Sequence, residues 1–154
     1  MFFDDLPVGF RFETASRTVP LEEILEFARK WDPQPFHIDP EAARESPYGG
    51  IIASGFHTIL VSFVLTLDSK VWAEASLGSP GMENIRWLAP VRPGDRLHLV
   101  GEVIASRVSA SRPDRGLTTI RHEVINQDAT VVAEYTTIQI LRRAPSDGMG
   151  TVGE

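Results

Sequence analysis

Apolar and polar positions along this chain fall into two regimes. Residues 21–31 carry Leu21, Ile24, Leu25, Ala28 and Trp31 at the i, i+3, i+4, i+7 spacing of an amphipathic helix. Glu22 and Glu23 open this helix, Arg29 and Lys30 close it, and Pro20 suits its first turn, so its charges oppose the helix macrodipole. From Ile51 to Leu67 the chain is apolar almost all round, interrupted by Ser54, Gly55, His57, Thr58, Ser62 and Thr66. That polarity is too high for a bilayer span of about 20 residues. It predicts a helix buried on most sides, starting near Ser54 and running to about Val71. Beyond Gly81 the period changes to two, and residues 82–88, 96–108, 117–126 and 131–141 read as strands separated by Pro-, Gly- and Asp-rich turns. Residues 11–19 predict one earlier strand. The order implies an α+β domain: four strands in meander order, joined by the first, curl around the long helix as an antiparallel sheet. A single helix leaves one sheet edge and some apolar surface open, which points to a homodimer.

Composition narrows the setting. The 154 residues fit one domain over residues 1–143, with a Pro-, Ser- and Gly-containing tail over 144–154 expected to be disordered. The absence of cysteine excludes disulfides, thiolate nucleophiles and Cys-based zinc sites. No metal site is expected either, because His98 and His122 lie in separate strands with no partner at ligand spacing. The opening Met1-Phe2-Phe3-Asp4-Asp5 lacks a basic segment leading into an apolar run, so a cytoplasmic location is expected. A formal net charge of −6 argues against nucleic acid or an anionic membrane as partner.

The chemistry concentrates in Asp32-Pro33-Gln34-Pro35-Phe36-His37-Ile38-Asp39, where two proton-handling side chains stand five residues apart. Each proline fixes its own φ and biases the preceding residue toward extended backbone, so Asp32 ends the helix and His37 is expected in a loop beyond it. Asp39, directly before Pro40, reads as the N-cap of a second short helix and not as part of the reacting pair.

That segment, with Phe27-Ala28 before it, Tyr48-Gly49-Gly50-Ile51-Ile52-Ala53-Ser54-Gly55-Phe56-His57-Thr58 after it and Arg92-Pro93-Gly94-Asp95 later, resembles the MaoC-like acyl dehydratases, which are similar to R-specific enoyl-CoA hydratases. The resemblance spans about residues 5 to 142. It implies a hot-dog fold, a sheet wrapped around a central helix. It further implies hydration or dehydration of a 2-enoyl-CoA thioester, giving an R-3-hydroxyacyl-CoA, with no cofactor beyond the coenzyme A of the substrate. Asp32 and His37 match the family's catalytic pair, and Gly55 the glycine that opens the central helix beside the thioester carbonyl. Ser54, Phe56, His57 and Phe63 are assigned to the substrate pocket. Two positions depart from the pattern. Ser54 stands where many members have histidine and is read as a helix cap. Phe63 stands where many R-hydratases carry a hydroxyl, while the neighbouring Ser62 points about 100° away on a helix. His57 is expected either near the thioester or at a subunit contact. The alternatives are a hot-dog acyl-CoA thioesterase, which usually wants a carboxylate on the central helix that residues 55–67 do not offer, and a non-catalytic subunit that binds acyl thioesters.

Overall fold

The apolar run becomes α4, Gly55–Asp68, shorter at its C-terminal end than its pattern suggests. The computed structural model describes residues 1–145. A single turn of 3-10 helix, Phe3–Asp5, leads into β1 (Arg11–Glu13) and β2 (Arg17–Thr18), then into α1 (Leu21–Trp31), α2 (Pro35–Ile38) and α3 (Pro40–Glu45). After α4 follow β3 (Gly81–Trp87), β4 (Arg96–Val108), β5 (Arg115–Ile125) and β6 (Val131–Arg142). The expected tail falls outside the described residues from 146 onward.

The sheet is antiparallel throughout, in the order β1-β4-β5-β6-β3, with β2 also pairing β4. It curls around α4 in the hot-dog arrangement. Val61 and Leu65 of the helix pack into a core with Leu97, Leu99, Val124, Val132 and Tyr135. Each fully buried aliphatic side chain of this kind contributes about 1.5–3 kcal/mol. A second cluster of Phe3, Leu6, Trp72, Val103, Ile120 and Leu141 closes the far end of the barrel-like sheet, with Phe12 edge-on to Trp72 at 5.7 Å.

Three expectations need correction. The strands are not a simple meander: β3 pairs with β6, at the opposite side of the sheet from β1. The segment between β3 and β4 does not turn as a hairpin. It carries Pro90 and Pro93, buries Val91, and is tied to the start of α4 by the Ala53 N–H donating to the Val91 carbonyl at 2.8 Å. The single strand expected over residues 11–19 is split, because the Thr14 hydroxyl takes the place of a backbone carbonyl and accepts the Leu99 N–H at 3.0 Å. Finally, α4 is buried on one face only. Its inward face includes Thr58, Ser62 and Thr66, whose hydroxyls each donate to a carbonyl of the preceding turn, so they enter the core satisfied. Its outward face, Phe56, Leu60, Phe63, Val64 and Leu67, is apolar and exposed within one chain.

Candidate active site

The helix that presents Asp32 ends there because two prolines follow. Asp32 occupies the C-cap position of α1, and its N–H still donates to the Ala28 carbonyl at 2.9 Å. The chain does not then loop freely: Pro35 occupies the first position of the one-turn helix α2, and His37 lies on that turn, not in a loop. Asp39 caps α3 as expected, its side chain accepting from the N–H groups of Glu41 and Ala42.

This turn brings the two side chains together. His37 Nε2 stands 3.2 Å from Asp32 Oδ2, both side chains largely buried. The other ring nitrogen is fixed by the backbone: His37 Nδ1 lies 2.7 Å from the Ile52 carbonyl, which can only accept, so Nδ1 carries a proton. Nε2 is therefore the nitrogen that exchanges protons, and a neutral imidazole would turn its lone pair on a carboxylate. The contact is favourable when one proton lies between Nε2 and Oδ2. Gln34 Nε2 donates to the second carboxylate oxygen at 2.7 Å. Partial burial pushes the Asp32 carboxyl up, but hydrogen bonding from Gln34 and Ser54 and the adjacent imidazole outweigh it and hold its pKa below the usual carboxylate value.

The pair faces a cleft of about 410 Å³, lined also by Gly55, Phe56, Trp87 and Val91. Here α4 begins, and its N–H groups at Gly55, Phe56 and His57 lack intrahelical partners at the positive end of the helix dipole. Ser54 occupies the N-cap position, yet its hydroxyl does not cap. It is fully buried and has no hydrogen bond of good geometry among the described residues, while lying close enough to Asp32 to help hold that carboxyl ionised. The helix start is thus left open to the cleft.

Gly55 has a packing reason to be glycine: a Cβ there would overlap the Trp87 indole, which lies directly on it. Trp87 in turn meets Phe56 edge-on at 5.8 Å. Of the expected pocket residues, Gly55 and Phe56 line the cleft and Ser54 lies beneath it, but His57 and Phe63 do not line it. His57 points to α1 instead, stacked on Phe27 at 4.7 Å with Nε2 at 3.3 Å from Glu23 Oε1. Burial pushes its pKa down against the pull of Glu23. Phe63, half exposed, opens onto a different cavity. Gln34, the Ile52 carbonyl and Trp87 have no assigned role in the sequence reading. Only Gln34 sits inside the motif, where its spacing from Asp32 is a usable signal.

The model of the MaoC-like domain matches residues 6–126. The chain belongs to the MaoC-like dehydratase domain family. A MaoC-like dehydratase from Rhodospirillum rubrum has a solved structure that is 41% identical, covering 95% of this chain and 99% of that one, with a TM-score of 0.89. The uncharacterized protein YdeM of Bacillus subtilis is 30% identical over 143 residues, 93% of this chain and 100% of its own length. The unliganded R-hydratase of Pseudomonas aeruginosa shares the fold, with a TM-score of 0.73 over 93% of this chain and 86% of that one, at 20% identity. Among the described residues of this MaoC-like chain, no three His, Asp or Glu side chains gather as a metal site. No described helix is long and apolar enough to cross a membrane.

Proposed function

We propose that this MaoC-like protein is a hydro-lyase of the cytoplasm that adds water to a 2-enoyl-CoA thioester, or removes it, giving an R-3-hydroxyacyl-CoA. The observation that carries the reading is the Asp32–His37 contact at 3.2 Å, set in a cleft at the uncapped start of α4. Water held by the pair attacks C3 of the enoyl group and releases a proton to the pair. The electron pair of the double bond moves to C2, with negative charge developing on the thioester oxygen. That charge meets the free N–H groups of Gly55 and Phe56, whose worth is greatest in a site that excludes water. The pair then returns one proton to C2, so the product gains one water and the enzyme is unchanged. Because His37 Nδ1 is held on the Ile52 carbonyl, Nε2 and the Asp32 carboxylate share this traffic. The reaction is redox-neutral and calls for no cofactor beyond the coenzyme A of the substrate.

We also infer a homodimer. Leu60, Phe63, Val64 and Leu67 form an exposed apolar stripe on α4, and Met82, Ile85 and Trp87 add to it from β3, whose outer edge has no strand beside it among the described residues. A second copy laid on this surface buries both.

Incubation with a panel of trans-2-enoyl-CoA esters tests the function. The reading expects loss of enoyl absorbance without free thiol. Thiol release would mark a thioesterase, and binding with neither change would mark a non-catalytic binding subunit.

A further inference from the structure

Trp87 does not reach the start of α4 by ordinary strand alternation. Glu83 of β3 pairs with Thr136 of β6 and Arg86 with Glu134, so three steps on β3 match two on β6 and β3 carries one extra residue. The extra residue is taken up where Asn84 adopts a left-handed backbone, with φ 54°. On an even strand Met82 and Trp87, five positions apart, would point to opposite faces. Their partners Thr137 and Ala133 are four apart and share a face, so the bulge turns Trp87 to the side that Met82 faces, toward α4. The N–H groups of Leu88 and Ala89 then both donate to the Val132 carbonyl, at 2.8 and 3.2 Å, which fixes the end of the strand. The indole is thereby laid on Gly55, with Cε2 and Nε1 the atoms nearest to where a Cβ would stand.

We propose that Trp87 is a catalytic residue of this site, its indole N–H donating to the thioester oxygen of the substrate alongside the N–H groups of Gly55 and Phe56. The inference rests on the hydratase reading of the cleft and adds a side-chain donor to it. Direction supports it: every Cα–Cβ bond of an α-helix tilts toward the helix N-terminus, so an indole standing where the Gly55 Cβ would be lies at the end where the backbone N–H groups are open. Elimination supports it as well. Of the donors that line the cleft, Gln34 Nε2 is engaged by Asp32, His37 Nδ1 by the Ile52 carbonyl and Thr58 Oγ1 by the Ser54 carbonyl at 3.4 Å. Outside the reacting pair, the Trp87 indole and the Tyr48 hydroxyl are the lining side-chain donors that hold no acceptor among the described residues. Tyr48 packs on Phe36 at 5.4 Å, whereas Trp87 packs on the start of the helix.

The chemistry suits such a donor. Negative charge develops on the thioester oxygen as water adds, and an indole N–H donates without accepting. It also keeps its proton, so it does not compete with Asp32 and His37 for the one in transit. Trp87 is half exposed within one chain and belongs to the face that the second copy covers. Once covered, its N–H is cut off from water, and a buried indole N–H without an acceptor is costly. The substrate oxygen supplies that acceptor, and the bond strengthens as the oxygen gains charge. Phe56, edge-on at 5.8 Å, braces the ring against the helix start.

The test separates the N–H from the ring that carries it. Trp87→Phe keeps an aromatic side chain on Gly55 and Phe56 and removes the donor. With circular dichroism and sedimentation matching the wild type, kcat of this variant on the best trans-2-enoyl-CoA ester is expected to fall about 10²-fold, with KM within about threefold of the wild type. The indole itself is read in nitrogen–proton correlation spectra of the wild type with two unreactive ligands, butyryl-CoA and S-butyl-CoA, a thioether that lacks the carbonyl oxygen. The Trp87 indole proton, identified as the resonance missing from Trp87→Phe, is expected to move downfield with the thioester and not with the thioether. Turnover by the folded variant near that of the wild type, or a resonance that moves alike with both ligands or with neither, overturns the proposal. Should Trp87→Phe fail to fold, the wild-type comparison of the two ligands decides, with the resonance assigned by elimination from Trp31→Phe and Trp72→Phe. A failed hydratase reading shows separately, as enoyl-CoA left unconsumed while the indole still responds to the thioester.

Discussion

His122 is buried and Asp32 partly so, and the two titratable groups bear on stability in opposite ways. Asp32 is ionised in the fold, held below its ordinary pKa by Gln34, Ser54 and His37 despite burial, so what it contributes is present above the unfolded value and lost only in strong acid. His122 is neutral in the fold, with a pKa of about 3 against 6.5 when unfolded. Between those values the unfolded chain binds a proton that the folded chain refuses, so stability falls as pH drops below 6.5 and stops falling near 3. Each pH unit in that window costs about 1.4 kcal/mol, hence roughly 2–3 kcal/mol between pH 7 and 4.5. Urea unfolding at the two pH values should show this loss in the wild type and a correspondingly smaller one in His122→Phe. An unchanged loss in the variant would mean that His122 is not the group responsible.

For single elements, close approach decides which substitutions matter. A Cβ on Gly116 of β5 would overlap the ring of Phe3, which is buried against Val103 and Ile120 and has little room to move. Gly116→Ala should therefore lower stability by about 1–3 kcal/mol, read as a shifted urea midpoint. Gly55→Ala meets Trp87, which is 49% exposed within one chain and less confined there than Phe3, so the stability of the single chain should change less and the shape of the cleft more. The elements were legible where pattern and punctuation agreed. Residues 96–108 form β4 as read, and α1 keeps the bounds its apolar spacing and charges imply. His37 on a helical turn was not legible, because Pro35 both ends α1 and suits the first position of α2. Nor was the inward turn of His122: Arg121, His122 and Glu123 put polar side chains on both faces, so alternation cannot say which face is core.

For the whole molecule, the placement of β3 depended on a contact remote in sequence. Eight residues between strands allow a hairpin or a crossing, and the Ala53–Val91 hydrogen bond beneath the start of α4 goes with the crossing. The same crossing puts Trp87 over Gly55 and leaves the outer edge of β3 open beside the exposed stripe of α4. The motif Asp32 to Asp39 signalled the pair, but the Ile52 carbonyl that fixes the imidazole tautomer comes from backbone fifteen residues away and carries no side-chain signal. If a second copy covers the apolar face, Val64→Glu combined with Ile85→Glu should convert the dimer to monomer in sedimentation velocity. A wild-type protein that sediments as a monomer would contradict the interface.

The central claim is that Asp32 and His37 together move the protons of water addition. Turnover of the best trans-2-enoyl-CoA ester by the wild type, Asp32→Asn and His37→Ala tests it most directly, with far-ultraviolet circular dichroism confirming that each variant folds. Positioned acid–base groups contribute about 10²–10⁴ in rate, so each variant should lose activity by a factor in that range. Near wild-type turnover in either folded variant would contradict the claim.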